Sequence, residues 1–232
     1  MALPNMAVPT FKTKIPSTGK EVQFRPFLVK EEKILLMALE GGDIGEMTDA
    51  TKKIIQSCLI SEVDVDSLAT FDVEYLFMQL RGKSVGELIK MIVGHTGDNP
   101  CDHRTEVSIN IDDIKVKGVK KDKKIAITDK IGVVVSYPTM KGAQMLQSED
   151  PEAPFKLMAS CIDMVYDADN VYDDFTLEEM VQWLEGLSKQ QFEKITNFFQ
   201  NIPKLEHKVE WTCPECKKKD SFVIEGLASF FM

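Results

Sequence analysis

Cys213-Pro-Glu-Cys216 stands on the bend between two short apolar stretches, Val209–Thr212 and Phe222–Ile224. Two thiolates two residues apart on a turn can face one ion, and tetrahedral zinc accepts sulfur and imidazole ligands. One such pair supplies half of a structural site. Outside the helical stretches, Cys101, His95, His103 and His207 are the soft ligands that could complete it. A redox pair of the thioredoxin kind opens a helix after a strand, whereas here Lys217-Lys218-Lys219-Asp220 and another strand follow. The competing reading is a knuckle of thiols that holds no metal.

An internal similarity selects among these ligands. Ser57-Cys58-Leu59-Ile60 resembles Ser160-Cys161-Ile162, and Phe71–Leu80 resembles Phe175–Leu184 at a nearly constant offset of about a hundred residues. Ser84-x-x-Glu87 then matches Ser188-x-x-Gln191, each with the spacing of a capping box at a helix start. Leu88 falls on Phe192 and Met91 on Ile195, and both copies run into strands, Glu106–Ile111 and Phe222–Ile224. Setting Cys101 on Cys216 puts Asp98 where Cys213 stands, so the first copy keeps one cysteine. Rough two-fold packing of the copies would bring Cys101, with His103 two residues on, opposite the pair. The expected ligand set is Cys101, His103, Cys213 and Cys216, with structural zinc as the candidate ion and no other cofactor. Chance likeness between amphipathic helices is the plainer explanation of the repeat.

The elements that must position these residues follow from periodicity. Lys12–Ile15 and Val22–Phe27 flank Pro16-Ser-Thr-Gly19-Lys20 as a hairpin. Glu31–Leu39 reads as an apolar helix stopped by Gly41-Gly42. Thr48 is placed to cap a second helix with Ile54, Ile55, Cys58 and Leu59 on one face, and Val73, Leu76, Phe77 and Leu80 give the stripe of a third. A fourth is expected from Ser84 to Val93. Alternation at Val107, Ile109 and Ile111, at Ile114 and Val116, at Ile125 and Ile127, and along Ile131–Pro138 marks a β-rich middle. The polar Gln147–Pro154 stretch is a loop. A second helical part then runs from Phe155 to Gln200, marked by Cys161, Ile162 and Val165, by Leu177, Met180, Val181 and Leu184, and by Phe192, Ile195 and Phe199, with a capping box at Thr176 and Glu179. The expected class is α+β: two similar helical halves, each followed by a short β-finger, with an N-terminal hairpin and a central β-rich segment. The corresponding divisions are 1–28, 29–112, 113–150 and 151–232.

The 232 residues suffice for a sizeable core in one or two domains. A net charge of −9, from 28 basic and 37 acidic residues, argues against a general phosphate-binding surface. Lys117–Lys124 is locally basic and reads as a solvated turn between strands. No apolar run is long enough for a bilayer. Met1–Pro9 lacks the basic stretch and apolar core of a signal peptide, so a cytoplasm with reduced or metal-bound cysteines is expected.

Other chemistry finds little footing. Cys58 and Cys161 lie on apolar helix faces as small buried hydrophobes. His95, in Gly94-His-Thr-Gly97-Asp-Asn-Pro100, reads as a solvated loop histidine because no partner constellation is visible. Gly82-Lys83-Ser84 lacks the earlier glycine of a phosphate loop, and Asp167-Ala-Asp169-Asn170 lacks the glycine and distal glutamate of a calcium loop, leaving an acidic helix-capping loop. No nucleophile or metalloprotease motif occurs, and no catalytic residue is assigned.

Lys14–Glu40, Phe71–Phe77, Leu80–Glu87 and Glu225–Phe231 together resemble the baseplate hub subunit family of T-even-type contractile-tailed bacteriophages, over nearly the whole chain. The resemblance implies a late phage protein that builds the central hub of the tail baseplate, without enzymatic activity. It implies host cytoplasm during assembly and the virion tail as locations, and other hub or tail proteins as partners. Self-association stays open, and neither membrane nor nucleic acid is expected. Contacts are expected through Leu3–Phe27 and through Gly226–Met232, whose Phe230, Phe231 and Leu227 need covering. The alternative is a zinc-ribbon-like nucleic-acid-binding module in which the lysines after Cys216 meet phosphate.

Overall fold

The turn at Pro16–Lys20 reverses the chain because Gly19 takes φ 70°, a left-handed conformation that costs glycine nothing. In the computed structural model, which describes residues 6–42, 44–95, 101–119, 123–147 and 150–226, this turn joins β1 (Phe11–Lys14) to β2 (Glu21–Phe24), antiparallel with Phe11 opposite Phe24. Alternation then decides the faces: Val22 and Phe24 are buried, and Lys12, Lys14 and Glu21 are exposed.

Helix α1 (Val29–Gly41) ends at Gly42, left-handed at φ 68°. Helix α2 (Ile44–Cys58) turns Ala50, Ile54, Ile55 and Cys58 inward. Thr48, expected as its cap, lies inside it. Helix α3 (Thr70–Val85) buries Val73, Leu76, Phe77 and Leu80, the expected stripe. Arg25 secures the hairpin's exit. Its guanidinium donates to Glu31 Oε1 at 2.9 Å and to the Ser57 carbonyl at 2.9 Å, and the Leu28 amide donates to Glu31 Oε2 at 2.8 Å.

The expected fourth helix is a strand. Helix α3 continues through Ser84, whose hydroxyl donates to the Leu80 carbonyl at 2.5 Å as an interior helical serine, and Glu87 pairs with Lys83 rather than capping a helix. Strand β3 (Leu88–Val93) follows and pairs antiparallel with β4 (Thr105–Asn110), Ile89 opposite Ile109. The likeness between Ser84–Glu87 and Ser188–Gln191 therefore does not extend to conformation.

The chain continues through β5 (Lys115–Lys117), β6 (Lys124–Ala126), β7 (Gly132–Val135), α4 (Met140–Ala143) and α5 (Ala153–Ser160). Cys161, Ile162 and Val165, expected on a helix, instead end α5 and enter β8 (Ile162–Tyr166), which turns into β9 (Val171–Tyr172). Helices α6 (Leu177–Glu185) and α7 (Lys189–Gln200) both open on capping boxes, Thr176 with Glu179 and Ser188 with Gln191. Strands β10 (Lys204–Thr212) and β11 (Lys219–Glu225) enclose the Cys213–Cys216 turn as expected. The class is α+β, with the strands in four small antiparallel sheets: β1-β2, β3-β4, β11-β10-β5 and β6-β7-β8-β9.

Two compact units share these elements. The first takes residues 1–63, 74–117 and 204–232, and the second takes 64–73 and 118–203. The first unit has a core in which Met78 of α3 meets Ile89, Ile109, Ile111 and Ile114 and, from the other sheet, Leu205, Val209 and Ile224. Gly82 allows close packing there, since a Cβ would stand 3.3 Å from Ile111 Cδ1. In the second unit Tyr137 stacks on Phe198 at 5.3 Å and meets the edge of Phe71 at 5.0 Å.

Candidate functional site

The turn between β10 and β11 closes when the Cys213 amide donates to the Lys218 carbonyl at 2.9 Å and the Lys217 amide donates to the Cys213 carbonyl at 3.0 Å. Lys217 takes φ 59°, the one non-glycine left-handed residue among those described. Within the turn the amides of Glu215 and Cys216 point back at the Cys213 sulfur. The Cys213 thiol is fully buried, which opposes ionisation, but these amides and the His95 ring prevail and bring it down to about 6.

His95 and Cys101 come from the connection between β3 and β4. The imidazole Nε2 lies 3.2 Å from Cys216 Sγ, and Cys101 Sγ lies 3.8 Å from Cys213 Sγ. One ligand atom from each of His95, Cys101, Cys213 and Cys216 falls within 4.8 Å of all the others. His95 Nδ1 lies 3.2 Å from Asp220 Oδ2. A carboxylate only accepts, so Nδ1 donates to Asp220 and Nε2 is the ring atom that faces the sulfurs. Trp211 packs on the imidazole at 4.8 Å between ring centres, and the His95 side chain is only 2% exposed. The Cys213 sulfur, with Asp220 and Cys216, raises the pKa of His95 against the effect of burial. At Cys101 the His103 amide favours the thiolate, but burial and the neighbouring sulfurs outweigh it and raise the pKa.

Three of the four residues expected as ligands, Cys101, Cys213 and Cys216, thus come together. His103 is not in the group: its side chain is exposed and only its backbone amide reaches the Cys101 sulfur. The fourth place belongs to His95, expected in solvent. Asp98, equated with Cys213 in the repeat, lies outside the described residues. His207 sits in β10 opposite Ile224, apart from the cluster.

The other candidates lie apart from this cluster. Burial pushes the Cys58 thiol up to about 11 and the Cys161 thiol up to about 12. Asp167 turns β8 into β9 and caps no helix: it accepts from the amides of Asp169 at 2.9 Å and Asn170 at 2.8 Å and from the Tyr172 hydroxyl at 2.9 Å. Beside it, a largely apolar cavity of about 410 Å³ in the second unit is lined by Ile131, Tyr172, Phe175, Met180 and Trp183.

A family model described as "T4 bacteriophage base plate protein" matches residues 6–232. The chain belongs to this family. Comparison with the curated proteins and comparison with the solved structures each found no match. A baseplate protein works among other baseplate proteins, so its surfaces bear on its function as much as the cluster does. Helix α1 turns Val29, Ile34, Leu36, Met37 and Leu39 toward solvent and buries only Glu31 and Ala38. The contacts expected at the chain's two ends fall partly on residues 1–5 and 227–232, outside those described. In the hairpin Val22 and Phe24 are buried and Phe11 is half-buried. No helix among the described residues is long and apolar enough to cross a membrane.

Proposed function

We propose that this baseplate protein is a structural or assembly subunit of the baseplate hub, acting through protein–protein contacts and catalysing no reaction. The observation that carries this reading is the apolar surface of α1. Leu36 is 54% exposed and Met37 63% exposed on a helix that turns hardly any of its hydrophobic side chains inward. Water-facing leucine and methionine on a helix of a baseplate protein are side chains that a partner can cover. Covering each would contribute on the order of 1.5–3 kcal/mol. Leu3–Phe27 and Gly226–Met232 would extend the contact.

Affinity capture of the tagged chain from phage-infected cells, with partners identified by mass spectrometry, tests the proposal. Hub and tail proteins should be recovered with the native chain, and Leu36→Glu with Met37→Glu should lower that recovery tenfold or more while the fold is retained. Undiminished recovery from this variant would remove α1 from the interface. Capture of nucleic acid with no tail proteins would overturn the hub reading.

A further inference from the structure

We propose that His95, Cys101, Cys213 and Cys216 hold a structural zinc ion that fastens the β3–β4 connection to the turn between β10 and β11. Three sulfurs and one imidazole nitrogen form a complete tetrahedral set for this metal, with no position left for substrate, so the site is structural. The spacing fits the ion. Zinc–sulfur bonds of about 2.3 Å at tetrahedral angles set neighbouring sulfurs about 3.8 Å apart, which is the separation of Cys101 Sγ and Cys213 Sγ. A disulfide between these two sulfurs would require about 2.05 Å. For zinc, nitrogen and sulfur should be about 3.6 Å apart, a few tenths of an ångström beyond the 3.2 Å between His95 Nε2 and Cys216 Sγ.

The surroundings are those that orient metal ligands. Asp220 accepts the Nδ1 proton of His95 and so fixes the tautomer that offers Nε2. Trp211 sets the plane of the ring. The amides of Glu215 and Cys216 face the Cys213 sulfur and that of His103 faces Cys101, leaving lone pairs on both sulfurs for an ion. Loading replaces the thiol protons, which pass to solvent, and adds no oxidant or reductant. His103 thus takes part through its backbone alone.

Full-length protein prepared from zinc-supplemented medium should retain about one zinc per chain by mass spectrometry of the metal. X-ray absorption at the zinc edge should give three sulfur neighbours at about 2.3 Å and one nitrogen at about 2.0 Å. Cobalt in place of zinc should show sulfur-to-metal charge transfer and the intense visible bands of a four-coordinate ion. His103→Ala should leave content and spectrum unchanged. His95→Ala should weaken retention by tenfold or more and alter the cobalt bands. Native protein without zinc, with the three cysteines alkylated freely or with Cys101 and Cys213 joined as a disulfide, would overturn the proposal. An absorption spectrum with four sulfurs or two nitrogens would overturn the ligand assignment without recourse to any variant. Neither result bears on the hub reading, which rests on α1.

Discussion

Glu31 is 2% exposed on its side chain, yet its carboxyl is held down to about 2 from the ordinary 4.5. Burial acts the other way. The Arg25 guanidinium at 2.9 Å and the Leu28 amide at 2.8 Å overcome it. Each pKa unit corresponds to about 1.36 kcal/mol, so a depression of roughly 2.5 units amounts to about 3 kcal/mol of stability. The sign follows from a folded pKa below the unfolded one: the contribution is complete above about pH 4.5 and is lost as pH falls toward 2. Glu31→Gln keeps the shape and an acceptor for the Leu28 amide but takes the carboxylate partner from the half-buried Arg25 guanidinium. It should cost about 3 kcal/mol at neutral pH. Urea unfolding followed by fluorescence of Trp211, with Trp183 replaced by Phe, reads the first unit. The stability difference between the native residue and Gln should be flat above pH 5 and shrink toward zero between pH 4.5 and 2. Taking the difference cancels every other titrating group. A gap below about 0.5 kcal/mol at neutral pH, or one independent of pH, would refute the reasoning.

Leu205→Ala removes a fully buried side chain from the junction of α3 with both sheets and should destabilise the first unit by about 2–5 kcal/mol in the same assay. Gly132→Ala should cost the second unit about 1–3 kcal/mol by Trp183 fluorescence, because the new Cβ would collide with the Tyr166 phenol and stand 3.0 Å from the Ile125 carbonyl oxygen. Native-state iodoacetamide labelling at mildly alkaline pH, mapped by peptide mass, should leave Cys58 and Cys161 unmodified, since burial holds both as thiols; rapid labelling of either would show that its helix is not packed as described.

What was legible in the sequence was local. The hairpin around Gly19, the Gly42 stop, the α3 stripe and the capping boxes at Thr176 and Ser188 each rest on residues within a few positions of one another. Leu88-Ile-Lys-Met-Ile-Val93 has apolar residues at both helical and strand spacing, and only the partner strand β4 decides between them. Ser84 and Glu87 have capping-box spacing but are occupied elsewhere, with Leu80 and Lys83. Misreading β3 had a second consequence. With a strand at 88–93, His95 stands at the end of a hairpin arm, as Cys213 does, and becomes a ligand candidate on position alone. The partner that orients it, Asp220, lies far along the chain, where no local pattern reaches.

In the first unit, β10 lies between β11 and β5, and β5 has no other sheet neighbour among the described residues. The middle strand therefore leaves the ribosome after both β5 and the whole of 118–203. Until then Ile109, Ile111 and Ile114 lack the Leu205, Val209 and Ile224 that cover them, and an unpaired strand edge is open to other chains. The second unit, apart from residues 64–73, is one continuous stretch that has been synthesised before Lys204. Translation thus times the protein: its β10–β11 hairpin is the late-arriving piece, and a nascent chain stalled before Lys204 would present an open, aggregation-prone half.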